Sequence, residues 1–211
     1  MSADRQSHDR SIMDPEPRRP DFARELITRA ATAKVTWFHL HRGQLSHQEI
    51  GRCRLADHAN AEVLRRITAD HGWPGWSLVG HDGATAAWQI ALRAENQPAV
   101  QKYFTDRMHQ AVRAGEAPAR QWAHLRDRCL LGYGAAQEFG TQYRHGPDGP
   151  QRLPVAEPDT LDERRAEVGL PPAADALASL CRRLTEGSSP HSTTVDEEQF
   201  DVPTAELEAV A

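Results

Sequence analysis

The sequence predicts an all-α domain, an irregular bundle of about six helices. Three observations point there. Apolar residues recur every three or four positions in several separate segments, and capping residues, glycines and prolines fall where those segments begin and end. The one stretch without such order, 132–158, is rich in both glycine and proline and reads as a long, mainly irregular loop. Residues 20–185 form a single domain. The arm 1–19 and the acidic tail 186–211 hold too few large apolar groups to offset the entropy of ordering, so both are expected to be disordered.

The first helix is expected over Pro20–His41, where Phe22, Leu26, Ala30, Ala33, Trp37 and Leu40 make one apolar stripe and Gly43 provides a stop. The second opens on Ser46-His47-Gln48-Glu49, a capping box in which Ser46 and Glu49 satisfy each other's exposed amides. Its stripe runs through Ile50, Cys53, Ala56, Val63 and Ile67 to a stop at Gly72. Trp73-Pro74-Gly75-Trp76 is a turn. A third helix should start at Asp82, with Asp82-Gly83 as its cap. Ala86, Ala87, Ala91 and Ala94 would let a neighbouring helix come close. Pro98 and Pro118 open the fourth and fifth helices. Within the long loop only a short hairpin near 145–149 is expected. Thr160-Leu161-Asp162-Glu163 reads as a second capping box, and a last helix is expected near 173–184.

Composition narrows the function. Asp and Glu outnumber Lys and Arg, 30 against 25, for a net charge of −5, so a nucleic-acid partner is not expected. No apolar run approaches the length of a membrane span, and the first 19 residues lack a signal-peptide core, which predicts a cytoplasmic protein without a membrane partner. Positive charge is almost all arginine, the only lysines being Lys34 and Lys102; a GC-rich genome explains that skew more simply than anion binding. Cys53, Cys129 and Cys181 imply no disulfide framework and read as small core residues.

Histidine is abundant, at 11 residues, yet no two histidines lie three or four apart as a helix-borne metal site requires, and neither His-Glu-x-x-His nor Cys-x-x-Cys occurs. No metal and no cofactor are therefore expected. His71, at a helix C-terminus, either favours the helix dipole with its charged form or shuttles protons. Trp73 and Pro74 fix the turn and secondarily wall a ligand. Asp127 and Arg128 share the fifth helix on the polar side of a Trp122–Leu125–Cys129 stripe. Either could anchor the long loop, and the planar fork of Arg128 could hold a carboxylate or phosphate. Phe139-Gly140-Thr141-Gln142 can orient a ligand or tie a loop down.

Several strings, in order along the chain, resemble a bacterial family catalogued only as domain of unknown function 6624. They are Asp57–Asn60, His71-Gly72-Trp73-Pro74, Asp127-Arg128, Gln137 with Phe139-Gly140-Thr141-Gln142, Leu153-Pro154-Val155, Asp162-Glu163-Arg164-Arg165 and Val168-Gly169-Leu170, spanning about residues 22 to 178. The resemblance implies a helical domain and carries no activity. It also draws attention to Arg93 and Glu95 by their place in the pattern. Relatives carry Gln-His where this chain has Leu92-Arg93, an acidic residue and a glutamine where it has Ala33-Lys34, and tyrosine in place of Phe139. A copy altered at those positions would have changed or lost chemistry.

These readings converge on a protein of bacterial specialised metabolism acting on a small-molecule or peptide ligand in a polar cleft. The catalytic candidates are His71 and Asp127, with Trp73, Arg93, Arg128, Gln137, Thr141 and Gln142 as ligand contacts. Metal-independent acid–base chemistry is the simplest reaction for such a set. The competing expectation is a non-catalytic binding or interaction protein, which should expose a contiguous apolar patch. Nothing in the sequence bears on oligomeric state.

Overall fold

The computed structural model describes residues 16–41, 46–146 and 149–187, apart from the side chains of residues 35–41, 145, 186 and 187. The expected stripe positions Trp37 and Leu40, the stop at Gly43, and most of the expected arm and tail lie outside that description. Among the described residues there are seven α-helices: α1 (Pro20–His41), α2 (His47–His71), α3 (Trp76–Leu92), α4 (Pro98–Arg113), α5 (Ala119–Gly132), α6 (Leu161–Glu167) and α7 (Ala173–Gly187). Two short strands, β1 (Tyr143–Gly146) and β2 (Gly149–Arg152), form an antiparallel hairpin pairing Tyr143 with Arg152 and Gly146 with Gly149. The fold is mostly α-helical, as the periodicity predicts. No described helix is long and apolar enough to cross a membrane.

Helix α2 is bounded as its sequence dictates. The Ser46 hydroxyl accepts from the Glu49 amide, the Glu49 carboxylate accepts from the Ser46 amide, and Gly72 turns the chain with φ of 78°. Helix α3 departs from expectation. It begins at Trp76 rather than Asp82, because Gly80 kinks the helix with φ of 72° and the turn before the kink is also helical. That early turn has no side-chain cap of its own. Glu116 supplies one from the α4–α5 connection: its carboxylate accepts from the Ser77 amide at 2.9 Å and its carbonyl from the Trp76 amide at 3.1 Å. The backbone amides of Arg18 and Arg19 donate to the carbonyls of Ser77 and Leu78, so residues just before α1 lie against the start of α3.

The core forms where α1 packs along α3. Leu26, Ala30, Val79, Ala84, Ala87 and Ala91 are buried there, joined by Leu64 of α2, Phe104 and Met108 of α4 and Leu125 of α5. Each large side chain so buried contributes about 1.5–3 kcal/mol. Gly83 is a packing position and not a cap: a Cβ there would lie 2.8 Å from Val79 Cβ and 3.2 Å from Ala23 Cα. Polar contacts fix the neighbouring helices. Trp88 Nε1 donates to the Gln121 carbonyl at 2.8 Å, and the buried Gln101 amide donates to the carbonyls of Ala91 and Leu92 at the end of α3.

Two further expectations are corrected. The Thr160 hydroxyl makes no cap to α6. It donates to the Glu157 carbonyl and accepts from Arg164 instead of from a helix amide. Of the three free cysteines, Cys53 and Cys129 are buried, but Cys181 is exposed on α7.

The α1–α3 contact gives a paired prediction. Gly83→Val should cost about 1–3 kcal/mol by overpacking. Gly51→Ala, at a helical position with open space around it, should gain about 0.5–1 kcal/mol. Thermal melts of both variants would check the difference; equal shifts would contradict the packing.

Candidate functional site

The centre of the site is a carboxylate with no solvent exposure. Asp127, near the end of α5, accepts from the backbone amides of Glu138 at 2.8 Å, Phe139 at 2.9 Å and Thr141 at 2.8 Å, and from the Thr141 hydroxyl at 2.9 Å. An ionised carboxylate offers about four lone-pair directions, so Asp127 has none left for a substrate. Burial pushes its carboxyl up from the ordinary carboxylate range, against the pull of those donors. The sequence placed Asp127 and Arg128 on the polar side of α5. Both are in fact buried, and Asp127 takes the role of loop anchor.

Other contacts hold the same loop from the far side. The fully buried Gln137 amide donates to the carbonyls of Gln142 and Leu153 and accepts from the Gln142 amide at 2.6 Å. Its backbone bridges to Val155 in parallel. From α6, buried Arg165 donates to the Phe139 carbonyl at 2.7 Å and Arg164 to the Glu138 carbonyl at 2.9 Å. Gly140 lies between, with φ of 62°. A Cβ there would stand 3.2 Å from both Arg152 Cδ and Val155 Cγ2. The left-handed angle and the tight space together require glycine.

So held, the loop delivers Gln142 to Arg128. Arg128 Nε and Nη2 donate to Gln142 Oε1 at 3.2 and 3.1 Å, and Nη1 donates to Glu95 Oε1 at 2.8 Å. Gln142 Nε2 donates to the Thr141 hydroxyl at 3.0 Å, which itself donates to Asp127. Five side chains thus form one hydrogen-bonded series, Asp127–Thr141–Gln142–Arg128–Glu95. It runs from a fully buried carboxylate to one that is 18% exposed.

A second guanidinium approaches the same place. Arg93, the C-cap of α3, is buried and donates to the Ala30 carbonyl of α1 at 3.4 Å. Burial draws its guanidinium down to about 10. Asp57 opposes that shift, Arg128 adds to it by like-charge repulsion, and Glu95 opposes it. Asp57 and Asn60 face in from α2, where Asn60 Oδ1 accepts from Arg29 at 3.2 Å. Asp57 and Asn60 are absent from the sequence-based set of candidate contacts, and Glu95 is singled out there only by its place in the family pattern. A signal for the first two was present: they interrupt the buried face that runs Cys53, Ala61, Leu64 and Thr68.

The remaining candidates sit elsewhere. His71 is exposed at the end of α2, beside the Phe22 ring with Nε2 3.4 Å from Arg19 Nη1. It lies 14 residues beyond Asp57 on one helix, about 21 Å along the axis. Trp73 is buried edge-on to Phe104 in the core. The structure therefore brings Arg93, Arg128, Thr141 and Gln142 together, makes Gln137 a support beneath them, and leaves His71 and Trp73 outside the group. No cluster of three or more metal-ligating side chains occurs among the described residues.

A model of a family of unknown function (DUF6624) matches residues 43–187, which include every side chain in the hydrogen-bonded series. No curated protein and no solved structure matches the chain.

Asp127→Ala would orphan three backbone amides, two buried and one part-buried. At about 1 kcal/mol or more each, it should cost at least about 3 kcal/mol. It should also open residues 133–157 to limited proteolysis, with α5 intact. Unchanged cleavage and melting temperature would contradict the anchoring role.

Proposed function

Because the chain belongs to the DUF6624 family of unknown function, its role is read from its own side chains, and we propose that it binds a small molecule at the Arg93–Glu95–Arg128–Gln142 cluster. The observation that carries this reading is the hydrogen-bonded series from Asp127 through Thr141, Gln142 and Arg128 to Glu95. Residues from α5, the long loop and the α3–α4 junction combine to orient one partly exposed carboxylate. Holding charged groups in low dielectric is costly, and preorganised polar groups of this kind are what ligand sites use to fix orientation. Acid–base chemistry, if the protein is an enzyme, falls to Glu95 rather than to His71 or Asp127. The first of those stands apart, and the second is fully committed to the loop.

An interaction protein is less well supported. The exposed large apolar side chains among the described residues are Ile27, Leu55 and Tyr133, one each on α1, α2 and the end of α5, and single exposed residues are normal on any surface. Three free cysteines suit a reducing compartment, and we place the protein in the bacterial cytoplasm, without a nucleic-acid or membrane partner.

A thermal-shift screen of metabolites on the wild type and Glu95→Gln tests the proposal. At least one compound should stabilise the wild type by several degrees and the variant by much less. Hits that are indifferent to Glu95→Gln, and to Arg93→Gln in parallel, would place binding elsewhere and overturn it.

A further inference from the structure

Resting on the binding site proposed above, we infer that Thr141 is a positioning residue of that site, its hydroxyl fixing which way Gln142 faces and so where Arg128 points. Donor and acceptor chemistry carries the inference. A guanidinium only donates, and an ionised carboxylate only accepts. Arg128 at one end and Asp127 at the other therefore set the direction of every bond between them. Arg128 Nε and Nη2 donate to Gln142 Oε1, Gln142 Nε2 donates to Thr141 Oγ1 at 3.0 Å, and Thr141 Oγ1 donates to Asp127 Oδ2 at 2.9 Å. The two neutral side chains carry the direction set by Asp127 through to Arg128.

The hydroxyl is the link that a purely apolar side chain of the same shape could not replace. A primary amide is nearly symmetrical, and its partners decide which end is oxygen and which is nitrogen. Thr141 Oγ1 has given its single proton to Asp127 and offers Gln142 only a lone pair, so the nitrogen end of Gln142 turns toward Thr141 and the oxygen toward Arg128. Without that acceptor the nitrogen end would be left unpaired in the interior, which penalises the orientation Arg128 needs. The backbone of Gln142 is held separately, its amide donating to Gln137 Oε1 and its carbonyl accepting from Gln137 Nε2 at 3.1 Å. Thr141 itself is 3% exposed, so it serves the site from behind. With its Nε–Nη2 edge held by Gln142, Arg128 meets Glu95 through Nη1 at 2.8 Å. A guanidinium released from Gln142 would turn and close on a carboxylate with two nitrogens, the favoured geometry of such pairs. The Thr141 hydroxyl thereby keeps Arg128 and Glu95 in the arrangement that the site presents.

Side-chain hydrogen exchange, read by NMR on the full chain, tests the relay without a ligand. In the wild type the Arg128 Nε proton and one Gln142 Nε2 proton should exchange far more slowly than the Nε proton of exposed Arg52. Thr141→Val keeps the backbone amide on Asp127 and removes only the hydroxyl. The Arg128 Nε proton should then exchange about tenfold faster or more, while the amide of residue 141 stays slow. Thr141→Ser should return the rate to within about twofold of wild type. A compound whose binding depends on Glu95 should bind Thr141→Val about tenfold more weakly and Thr141→Ser as it binds the wild type. An unchanged Arg128 rate in Thr141→Val would overturn the inference, and so would Thr141→Ser behaving like Thr141→Val. Glu95-dependent binding that is indifferent to Thr141→Val would overturn it as well. Should Thr141→Val fail to fold, the wild type decides: slow exchange at both protons supports the relay, and fast exchange at both contradicts it. If the relay holds while no compound depends on Glu95, the bonds stand and the reading of the place as a binding site is what fails.

Discussion

The structure around the site depends on one buried anion. Asp127 gathers three loop amides and a hydroxyl onto a single carboxylate, and the loop that follows α5 takes its shape from that gathering. Buried backbone amides in an irregular segment must find acceptors, and a loop this long cannot supply enough of them from its own carbonyls. A carboxylate on the adjoining helix solves the problem at one point. The β1–β2 hairpin and the α6 arginines then hold what Asp127 has drawn in.

That anchoring explains how polar residues are distributed over the domain. Gln137, Thr141, Gln142, Arg128 and Arg165 are all buried around the Asp127 loop, at one side of a core made mainly from alanine, aliphatic and aromatic side chains. Each polar group is tied to the next, which is the condition under which a buried network supports a unique arrangement. The network reaches Glu95, beside Arg93, where the guanidinium groups of Arg93 and Arg128 influence each other in the interior. A domain seeking stability alone would fill such a place with apolar side chains. Retaining charges there is the physical ground for reading the place as a site.

Much of the helical frame was legible because it follows from local chemistry. The bounds of α1 match the expected segment, and the Ser46–Glu49 box and Gly72 close α2 at both ends. The start of α3 was not legible. Its first turn has no capping side chain of its own and borrows Glu116, 39 residues away from Ser77. Thr160 shows the reverse error, a local capping pattern whose hydroxyl instead meets Arg164, one turn on in the same helix, and the Glu157 carbonyl. In the site, the sequence pointed to Arg128, Thr141 and Gln142, and the string resemblance brought in Arg93. It also grouped His71 with them, because nothing local showed that Asp57, 14 residues back on the same helix, is the part of α2 that faces the site. The inward facing of Asp57 and Asn60 was readable only as a break in an apolar stripe, and Glu95 gained meaning once Arg128 was seen to reach it.

Native-state amide hydrogen exchange reads the anchoring most directly. If Asp127 holds the loop, the amides of Glu138, Phe139, Thr141 and Gln142 exchange as slowly as the interior of α5, through global unfolding. The neighbouring amides of 133–136 make no bond to Asp127; those of Tyr133, Gly134 and Ala135 reach only carbonyls at the exposed end of α5, and this stretch exchanges much faster by local fraying. Fast exchange at Glu138, Phe139 and Thr141, at the rate of those exposed neighbours, would contradict the account at its base.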